Sequence, residues 1–442
     1  MSACWVTRKP GRLMRLLGLL ALSLWTTLAV AVDVPVPRAQ ATAGMPEVEQ
    51  RKEQLPDAQE RPMHTDVRVP RAQDAQERPR IGVITMQPGD IFWERFGHNA
   101  IVVSDPASGD GISYNFGFFD PTEPDFLTRF IRGDMRYRLA ALPIEQDLAA
   151  YRDAGRGVSV QWLDLDAAQA QSLADALAVN ARPENAHYRY DYFLDNCSTR
   201  VRDAIDRALD GGLKPQLASR SQGNTFRTEA LRLASPAPWM WLGFDLALGP
   251  DADRPNALWA DAFVPMRLAT ALRESRNSHG RPLVGEEHLL LAHRIAPEPV
   301  ASPTRWWPWA AVGIALSLAL IRLGSRRPRA LAAVALPLWS LCGLLGTVLL
   351  SAWLFTEHRV IWANHNLLLL SPLCWLLLPG GWAVLRGRGA GKGFHYLLIA
   401  ILALAVVALF LFWLPVMPQR NAHWIALMLP LHLGMALGFR RR

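Results

Sequence analysis

The last third of the chain limits the possible folds most, because it carries five apolar stretches separated by short polar segments. They cover residues 306–323, 330–355, 367–385, 395–414 and 422–437. A helix of about 20 apolar residues spans the hydrocarbon core of a bilayer, and it satisfies its own backbone polar groups there. The sequence therefore predicts an all-α transmembrane domain of five helices over residues 306–437.

The charges between these stretches predict an orientation. Basic residues follow the first, third and fifth stretch, at positions 326–329, 386–392 and 440–442. Short loops rich in arginine and lysine stay in the cytoplasm. The loops at 356–366 and 415–421, and the chain before the first stretch, then lie outside. We expect a multi-pass protein of the bacterial inner membrane whose preceding domain is periplasmic.

The beginning of the chain divides into two segments. Residues 1–32 combine four basic residues with an apolar run, as a signal peptide or signal anchor does. Residues 33–80 are rich in proline, glutamine and charge, and they repeat two short motifs. Such a composition buries too little apolar surface to offset its ordering entropy. We interpret this segment as a disordered linker.

Residues 81–300 carry the pattern of a globular domain. Apolar and β-branched runs predict four strands, and helical periodicity predicts four helices. The strands are expected at 81–86, 99–104, 112–119 and 158–163, and the helices at 123–131, 144–151, 166–179 and 199–209. This mixture predicts an α+β domain.

Composition excludes several functions for that domain. The formal net charge of +8 belongs to the tails, the linker and the membrane loops, because acidic residues outnumber basic ones by 29 to 23 over residues 81–305. A nucleic-acid partner is therefore not expected. One cysteine and scattered histidines show no paired ligand spacing, and no phosphate-binding glycine loop is present. We expect neither a metal nor a cofactor.

Cys197 is the sole cysteine of the predicted periplasmic domain, since Cys4, Cys342 and Cys374 lie elsewhere. It stands directly before the predicted helix 199–209. The positive end of a helix favours a thiolate, which is the nucleophilic form of cysteine. The alternative is a small buried residue that packs the start of the helix.

His98 is the candidate base, because it opens the predicted strand 99–104. A papain-like site needs a cysteine at a helix start, a histidine on a neighbouring strand and a third polar group. Asn115 on the next strand could be that group, with Asp191 and Asn99 as alternatives. A histidine that precedes the cysteine is the order of circularly permuted members. A histidine satisfied in the core is the other interpretation.

At this point the chain resembles a known family. The segments are WERFGHNAI from Trp93, YNFGFFD from Tyr114, YDYFLDNCSTRVRD from Tyr190 and WLGFDLALGPDAD from Trp241. They are similar to the periplasmic domain of Lnb-type lipoprotein N-acyltransferases, and the five-span tail resembles the membrane domain joined to it. The resemblance implies a circularly permuted papain-like (NlpC-like) thiol fold in which Cys197 and His98 form the catalytic pair. The repeated linker departs from the family pattern.

The resemblance also implies an activity and its partners. Cys197 would take an acyl chain from a membrane phospholipid as a thioester and pass it to the N-terminal amine of a lipoprotein. Substrate contacts are expected from Tyr190, Asp191, Asn196 and Ser198 near the thiol, and from Glu357, His358, Asn364 and Asn366 in an outer loop. For that loop, interfacial anchoring is the alternative. Two other functions stay open, namely an NlpC-type cysteine hydrolase of cell-wall peptides and a non-catalytic membrane scaffold.

Overall fold

A computed structural model describes residues 78–440, apart from 106–109, 302 and 416. The signal segment and the linker up to residue 77 lie outside the described residues, so both predictions stay untested. The first strand begins at Arg80, where the linker was predicted to end.

A seven-stranded antiparallel sheet forms the centre of the periplasmic domain, within the residues that the structure describes. Its strands lie side by side in the order β6-β4-β3-β2-β1-β5-β7. They are β1 (Arg80–Met86), β2 (His98–Ser104), β3 (Gly111–Phe118), β4 (Met135–Pro143), β5 (Val158–Leu163), β6 (His187–Tyr190) and β7 (Val284–Leu291). Ile81 and Val83 pack into one hydrophobic cluster, whereas Ile84 and Met86 pack into another. Since neighbouring side chains of a strand point to opposite faces, the centre of the sheet is covered on both sides.

Helices cover the sheet and continue beyond it. They are α1 (Phe126–Arg132), α2 (Ile144–Asp153), α3 (Ala167–Asn180), α4 (Pro183–Ala186), α5 (Cys197–Ala208), α6 (Leu213–Ala218), α7 (Phe226–Ala234), α8 (Pro238–Ala247), α9 (Leu258–Asp261) and α10 (Pro265–Arg273). The α5 helix packs on the sheet through Val201 and Ile205, which are fully buried. The predicted α+β architecture is confirmed.

The sequence did not predict three of these strands, β4, β6 and β7, and each has a physical reason. The β6 strand has only four residues, which is too short for a visible alternation. The β7 strand lies at the sheet edge with mostly exposed side chains, so burial imposes no apolar pattern on it. In β4, arginines alternate with Met135 and Tyr137. This segment is a strand because it pairs with β3 on one side and with β6 on the other.

The apolar tail is helical as predicted. It contains α11 (Trp307–Arg326), α12 (Pro328–Phe355), α13 (Leu378–Leu385), α14 (Lys392–Phe412) and α15 (Ala422–Gly438). Among the described residues, four segments are long and apolar enough to cross a membrane, and α15 is a shorter apolar helix of 17 residues. The count of four to five candidate spans agrees with the sequence.

The third apolar stretch is not one regular helix, which corrects the sequence prediction. Short 3-10 turns at Arg359–Ile361, His365–Leu368 and Pro372–Leu377 precede α13. Pro372 has no N–H to donate to the helix ladder. Broken helices are tolerated at membrane depth where protein supplies the missing partners. Here His432 Nε2 lies 2.8 Å from the Leu369 carbonyl oxygen and satisfies it.

The outer loops of the tail contact the periplasmic domain. Gly249 N donates to the Val360 carbonyl at 2.8 Å, and Arg420 N donates to Asp253 Oδ2 at 3.0 Å. Leu246 of α8 packs against the hydrophobic cluster of the membrane helices. The loops that the charge pattern placed outside therefore lie on the same side as the periplasmic domain.

Candidate active site

The start of α5 holds Cys197 in the first turn of the helix. Asn196 is the N-cap, and its Oδ1 accepts a hydrogen bond from Thr199 N at 2.9 Å. Thr199 Oγ1 in turn accepts from Asn196 N at 2.8 Å, which completes a capping box. Because the cap fixes where the helix begins, the Cys197 sulfur lies at the positive end of the helix dipole.

His98, the first residue of β2, lies next to Cys197, and each of the two side chains shifts the pKa of the other. Its Nε2 lies 3.1 Å from Asn115 Oδ1 on the neighbouring strand β3. Since an amide oxygen can only accept, Nε2 carries the proton of that bond, and Nδ1 is left to face the thiol. The structure thus brings together the three residues that the sequence nominated as a catalytic set.

Asp147 on α2 supports this set, and sequence reasoning missed it. Its Oδ2 accepts hydrogen bonds from Asn115 Nδ2 at 3.0 Å and from Ser113 Oγ at 2.7 Å. These bonds orient the Asn115 amide so that its oxygen points at His98. Asp147 stands at an ordinary position of an amphipathic helix, and only the packing of α2 against β3 brings it to Asn115.

The electrostatics favour an ion pair between sulfur and imidazole. Burial opposes the charged form of Cys197, but His98 and the backbone N–H groups of Asn99 and Ser198 outweigh it and lower the pKa of the thiol. Burial likewise opposes the charged form of His98, but Cys197 and then Asp147 outweigh it and raise the pKa of the imidazole. Opposite shifts of a neighbouring acid and base are the signature of a thiolate–imidazolium pair.

A small unfilled position lies beside the thiol, above Gly117. The β3 strand bulges between Asn115 and Phe118, and Gly117 adopts a φ of 94°. A Cβ placed there would lie 3.7 Å from Cys197 Cβ, 3.9 Å from the Tyr188 hydroxyl oxygen and 3.3 Å from Tyr190 Cε2. A substrate carbonyl could therefore approach the sulfur over Gly117.

The Tyr188 hydroxyl is the second feature that the sequence did not reveal. It is buried, and no atom of the described part of the chain forms a hydrogen bond with it. Burial raises the pKa of Tyr188, so the hydroxyl keeps its proton and can donate. The Arg200 guanidinium stacks 3.9 Å from the ring centre and holds the ring in place. A buried, unpartnered donor beside a nucleophile is a feature that an active site uses and a core avoids.

Two polar residues near the thiol are tied to the fold. Asn196 Nδ2 donates to the carbonyl oxygens of Tyr192 at 2.9 Å and Phe263 at 2.8 Å. Ser198 is fully buried, with its Oγ 2.6 Å from the Ala262 carbonyl oxygen. Their predicted substrate contacts stay predictions, and the bonds observed here position α5.

The two alternatives for the third group are engaged elsewhere. Asn99 Nδ2 donates to Thr85 Oγ1 at 2.9 Å, and Asn99 Oδ1 accepts from Ser198 Oγ at 2.8 Å. Asp191 Oδ1 accepts from the backbone N–H groups of Phe193 and Leu194 at 2.9 and 3.0 Å, which shapes the turn before α5. Asn115 is therefore the residue among the three that contacts the imidazole.

Glu357 and His358, from the loop after α12, attach the periplasmic domain to the membrane domain through α1. Glu357 forms an ion pair with Arg189, and its backbone N donates to the Arg132 carbonyl at 2.8 Å. His358 Nε2 donates to the Phe130 carbonyl at 3.0 Å, and burial lowers the pKa of this imidazole, which keeps it neutral. Both residues therefore donate to carbonyl groups at the end of α1, where the helix lacks donors of its own.

Asn364 and Asn366 hold α8. The Asn364 amide nitrogen donates to the carbonyl oxygens of Leu246 and Ala247, at 2.8 and 2.9 Å, and Asn366 Nδ2 donates to Leu246 at 3.1 Å. The carbonyl groups at the end of α8 thus receive their donors from the membrane domain. The structure places these two asparagines at the domain junction and away from Cys197.

Comparison with known families identifies both parts of the chain. The Lnb N-terminal periplasmic domain matches residues 68–232, which contain Cys197, His98 and Asn115. The Lnb transmembrane domain matches residues 302–441. The chain belongs to the Lnb family. No curated protein and no solved structure matches it, so the papain-like assignment stays a prediction.

Membership of the Lnb family establishes a membrane protein with a periplasmic domain. The Lnb periplasmic match ends at residue 232, before α8 begins at Pro238. The helix that docks on the membrane helices therefore lies between the two matched regions of this Lnb protein.

Proposed function

We propose that this Lnb protein is an inner-membrane acyltransferase that moves a fatty acyl chain from a phospholipid, through a thioester on Cys197, to the N-terminal amine of a lipoprotein. The observation that carries the proposal is the set of Cys197, His98 and Asn115: Asn115 is hydrogen-bonded to His98, and Cys197 and His98 shift each other's pKa in opposite directions. An activated thiol with an oriented base is the apparatus of acyl transfer. Family membership adds that this periplasmic domain is joined to a transmembrane domain.

The first half-reaction forms the thioester. His98 holds the proton of Cys197, and the thiolate attacks the ester carbonyl carbon of the lipid. The tetrahedral intermediate collapses with cleavage of the carbon–oxygen bond. The imidazolium of His98 gives its proton to the departing oxygen, and a lysophospholipid leaves. Asn115 keeps the ring oriented throughout, as the third member of a triad does.

The second half-reaction returns the enzyme to its starting state. The neutral amine of the lipoprotein attacks the thioester carbonyl, and His98 takes the proton that the nitrogen loses. The carbon–sulfur bond breaks, an amide forms, and Cys197 leaves as the thiolate. The same imidazole serves as acid in the first half-reaction and as base in the second.

Three donors can hold the oxyanion of each intermediate. The backbone N–H groups of Asn99 and Ser198 help to lower the pKa of the Cys197 thiol, and the Tyr188 hydroxyl borders the position over Gly117. The Tyr188 hydroxyl has no partner among the described residues, so this donor needs no reorganisation when charge develops. We assign the Tyr188 hydroxyl and these two N–H groups to the oxyanion hole.

Enclosure of the thiol favours transfer over hydrolysis. Cys197 is only 7% exposed, in a domain whose α1 and α8 are held by loops of the membrane domain. A thioester shielded from bulk water survives until an amine arrives. A hydrolase of cell-wall peptides would gain nothing from this attachment to membrane helices.

Mass spectrometry of lipoprotein N-termini tests the proposal in cells. A strain that lacks the protein should accumulate diacylated lipoprotein, and wild type should restore the third acyl chain. Cys197→Ser should fail to restore it, although immunoblotting shows normal protein levels. Cys342→Ser, a matched change at a buried cysteine of the membrane domain, should restore it. Triacylated lipoprotein in the Cys197→Ser strain would refute the proposal.

An assay of the purified protein tests the rival function, which is hydrolysis of cell-wall peptides. If the purified full-length protein releases fragments from peptidoglycan in a Cys197-dependent manner, a cell-wall hydrolase replaces the acyltransferase.

A further inference from the structure

A continuous row of aromatic rings connects the membrane-docked helix α8 with the thiol. We call it the aromatic seam, and its members in spatial order are Trp239, Phe92, Trp93, Phe119, Tyr137 and Tyr190. Successive ring centres are 6.5, 4.7, 6.5, 5.0 and 4.4 Å apart. These residues come from five separated parts of the chain, so the row is a product of the tertiary fold.

The outer end of the seam lies at the membrane domain. Leu246 of α8 packs into the cluster of the membrane helices, and the Trp241 ring lies 6.4 Å from that of His423 in the first turn of α15. On the same helix Trp239 is 68% exposed, and Leu242 is exposed beside it. Exposed large apolar side chains mark a surface with a partner, and tryptophan favours the membrane interface.

The inner end of the seam reaches the nucleophile. The Tyr190 ring borders the position over Gly117, which also borders Cys197. Trp93 and Phe119 lie between the two ends and are only partly buried, so their faces are available to a ligand. A molecule that reacts at Cys197 while its tail still lies in the bilayer would follow this row.

Resting on the proposed function, we infer that the aromatic seam binds the fatty acyl chain of the donor lipid and guides its ester carbonyl to Cys197. The phenyl rings of Phe92 and Phe119 offer no hydrogen-bonding group, which suits a hydrocarbon chain better than a sugar or a peptide. Continuity with the membrane-docked α8 supports a ligand that comes from the bilayer.

Thiol alkylation separates this inference from the proposed function, because it requires no acyl acceptor. Full-length protein in lipid nanodiscs is treated with iodoacetamide or with its N-hexadecyl derivative, and peptide mass spectrometry gives the labelling rate at Cys197. Trp239→Ala and Phe92→Ala should each lower the rate of the long-chain reagent by about fivefold, through the lost apolar contact. The rate of the short reagent should not change.

Trp306→Ala is the control variant. Trp306→Ala removes a tryptophan of comparable exposure, 58%, that lies outside the seam, and it should leave both rates unchanged. If both seam variants keep the wild-type ratio of long-chain to short-chain labelling rates, the inference that the aromatic seam binds the acyl chain is refuted. The proposed acyltransferase activity is not affected by that result. If Cys197 of the wild type reacts with neither reagent, Cys197 is not an activated nucleophile, and both the acyltransferase proposal and the acyl-chain inference are refuted.

Discussion

Replacement of Gly117 by alanine tests the geometry of the site at its most sensitive point. Gly117 has a φ of 94°, and the missing Cβ leaves open the position between Cys197, Tyr188 and Tyr190. Gly117→Ala therefore does two things at once, since it strains the backbone and fills that position. The two effects have different magnitudes and can be separated.

The strain costs stability. An L-residue in the left-handed region loses about 1–2 kcal/mol. The new methyl group would lie 3.3 Å from Tyr190 Cε2, so the ring must also move by a few tenths of an ångström. The filled position costs activity, because a carbonyl oxygen there could no longer reach the Tyr188 hydroxyl. Loss of one oxyanion donor lowers turnover by about 10²–10³-fold.

Gly211→Ala is the matched control. Gly211 has a φ of 80°, and no heavy atom lies within 4 Å of the Cβ it would gain. Both variants should lose a similar amount of thermal stability in detergent. Only Gly117→Ala should lose the transfer of acyl chains from phospholipid to a diacylated lipopeptide, followed by mass spectrometry. Equal turnover of the two variants would refute the assigned approach over Gly117.

Two further predictions concern the ion pair and the domain junction. Burial raises the pKa of the Cys197 thiol, but His98 and the nearby backbone N–H groups outweigh burial and lower it, so iodoacetamide labelling should fall only as pH drops through that lowered pKa. His98→Gln should move the midpoint of the labelling curve to higher pH, because burial then acts without the imidazolium, and an unchanged midpoint would contradict the ion pair. Asp253 accepts a buried bond from Arg227 Nε at 2.8 Å, so Asp253→Asn should destabilise by about 3–5 kcal/mol. Asp251→Asn, at an exposed ion pair, should lower the free energy of unfolding by under about 1 kcal/mol. Thermal melting of both variants in detergent measures the difference, and equal losses would contradict the buried pair.

The sequence alone determined the membrane domain and its orientation. Lipid offers no hydrogen bonds, so spanning segments must be long, apolar and helical, and basic loops report their side. It also determined that a cysteine stands at a helix start, because Asn196 caps the next residues locally. Short-range rules decide these features, and they can be found without knowing the fold.

Only the tertiary structure decided which groups meet. His98 and Cys197 are about a hundred positions apart, and their interaction depends on α5 packing against β2. Asp147 and Tyr188 carry no local pattern, since a carboxylate on a helix and a tyrosine on an edge strand look ordinary in sequence. Long-range packing sets which polar groups share a buried site, and no periodicity along the chain records that choice.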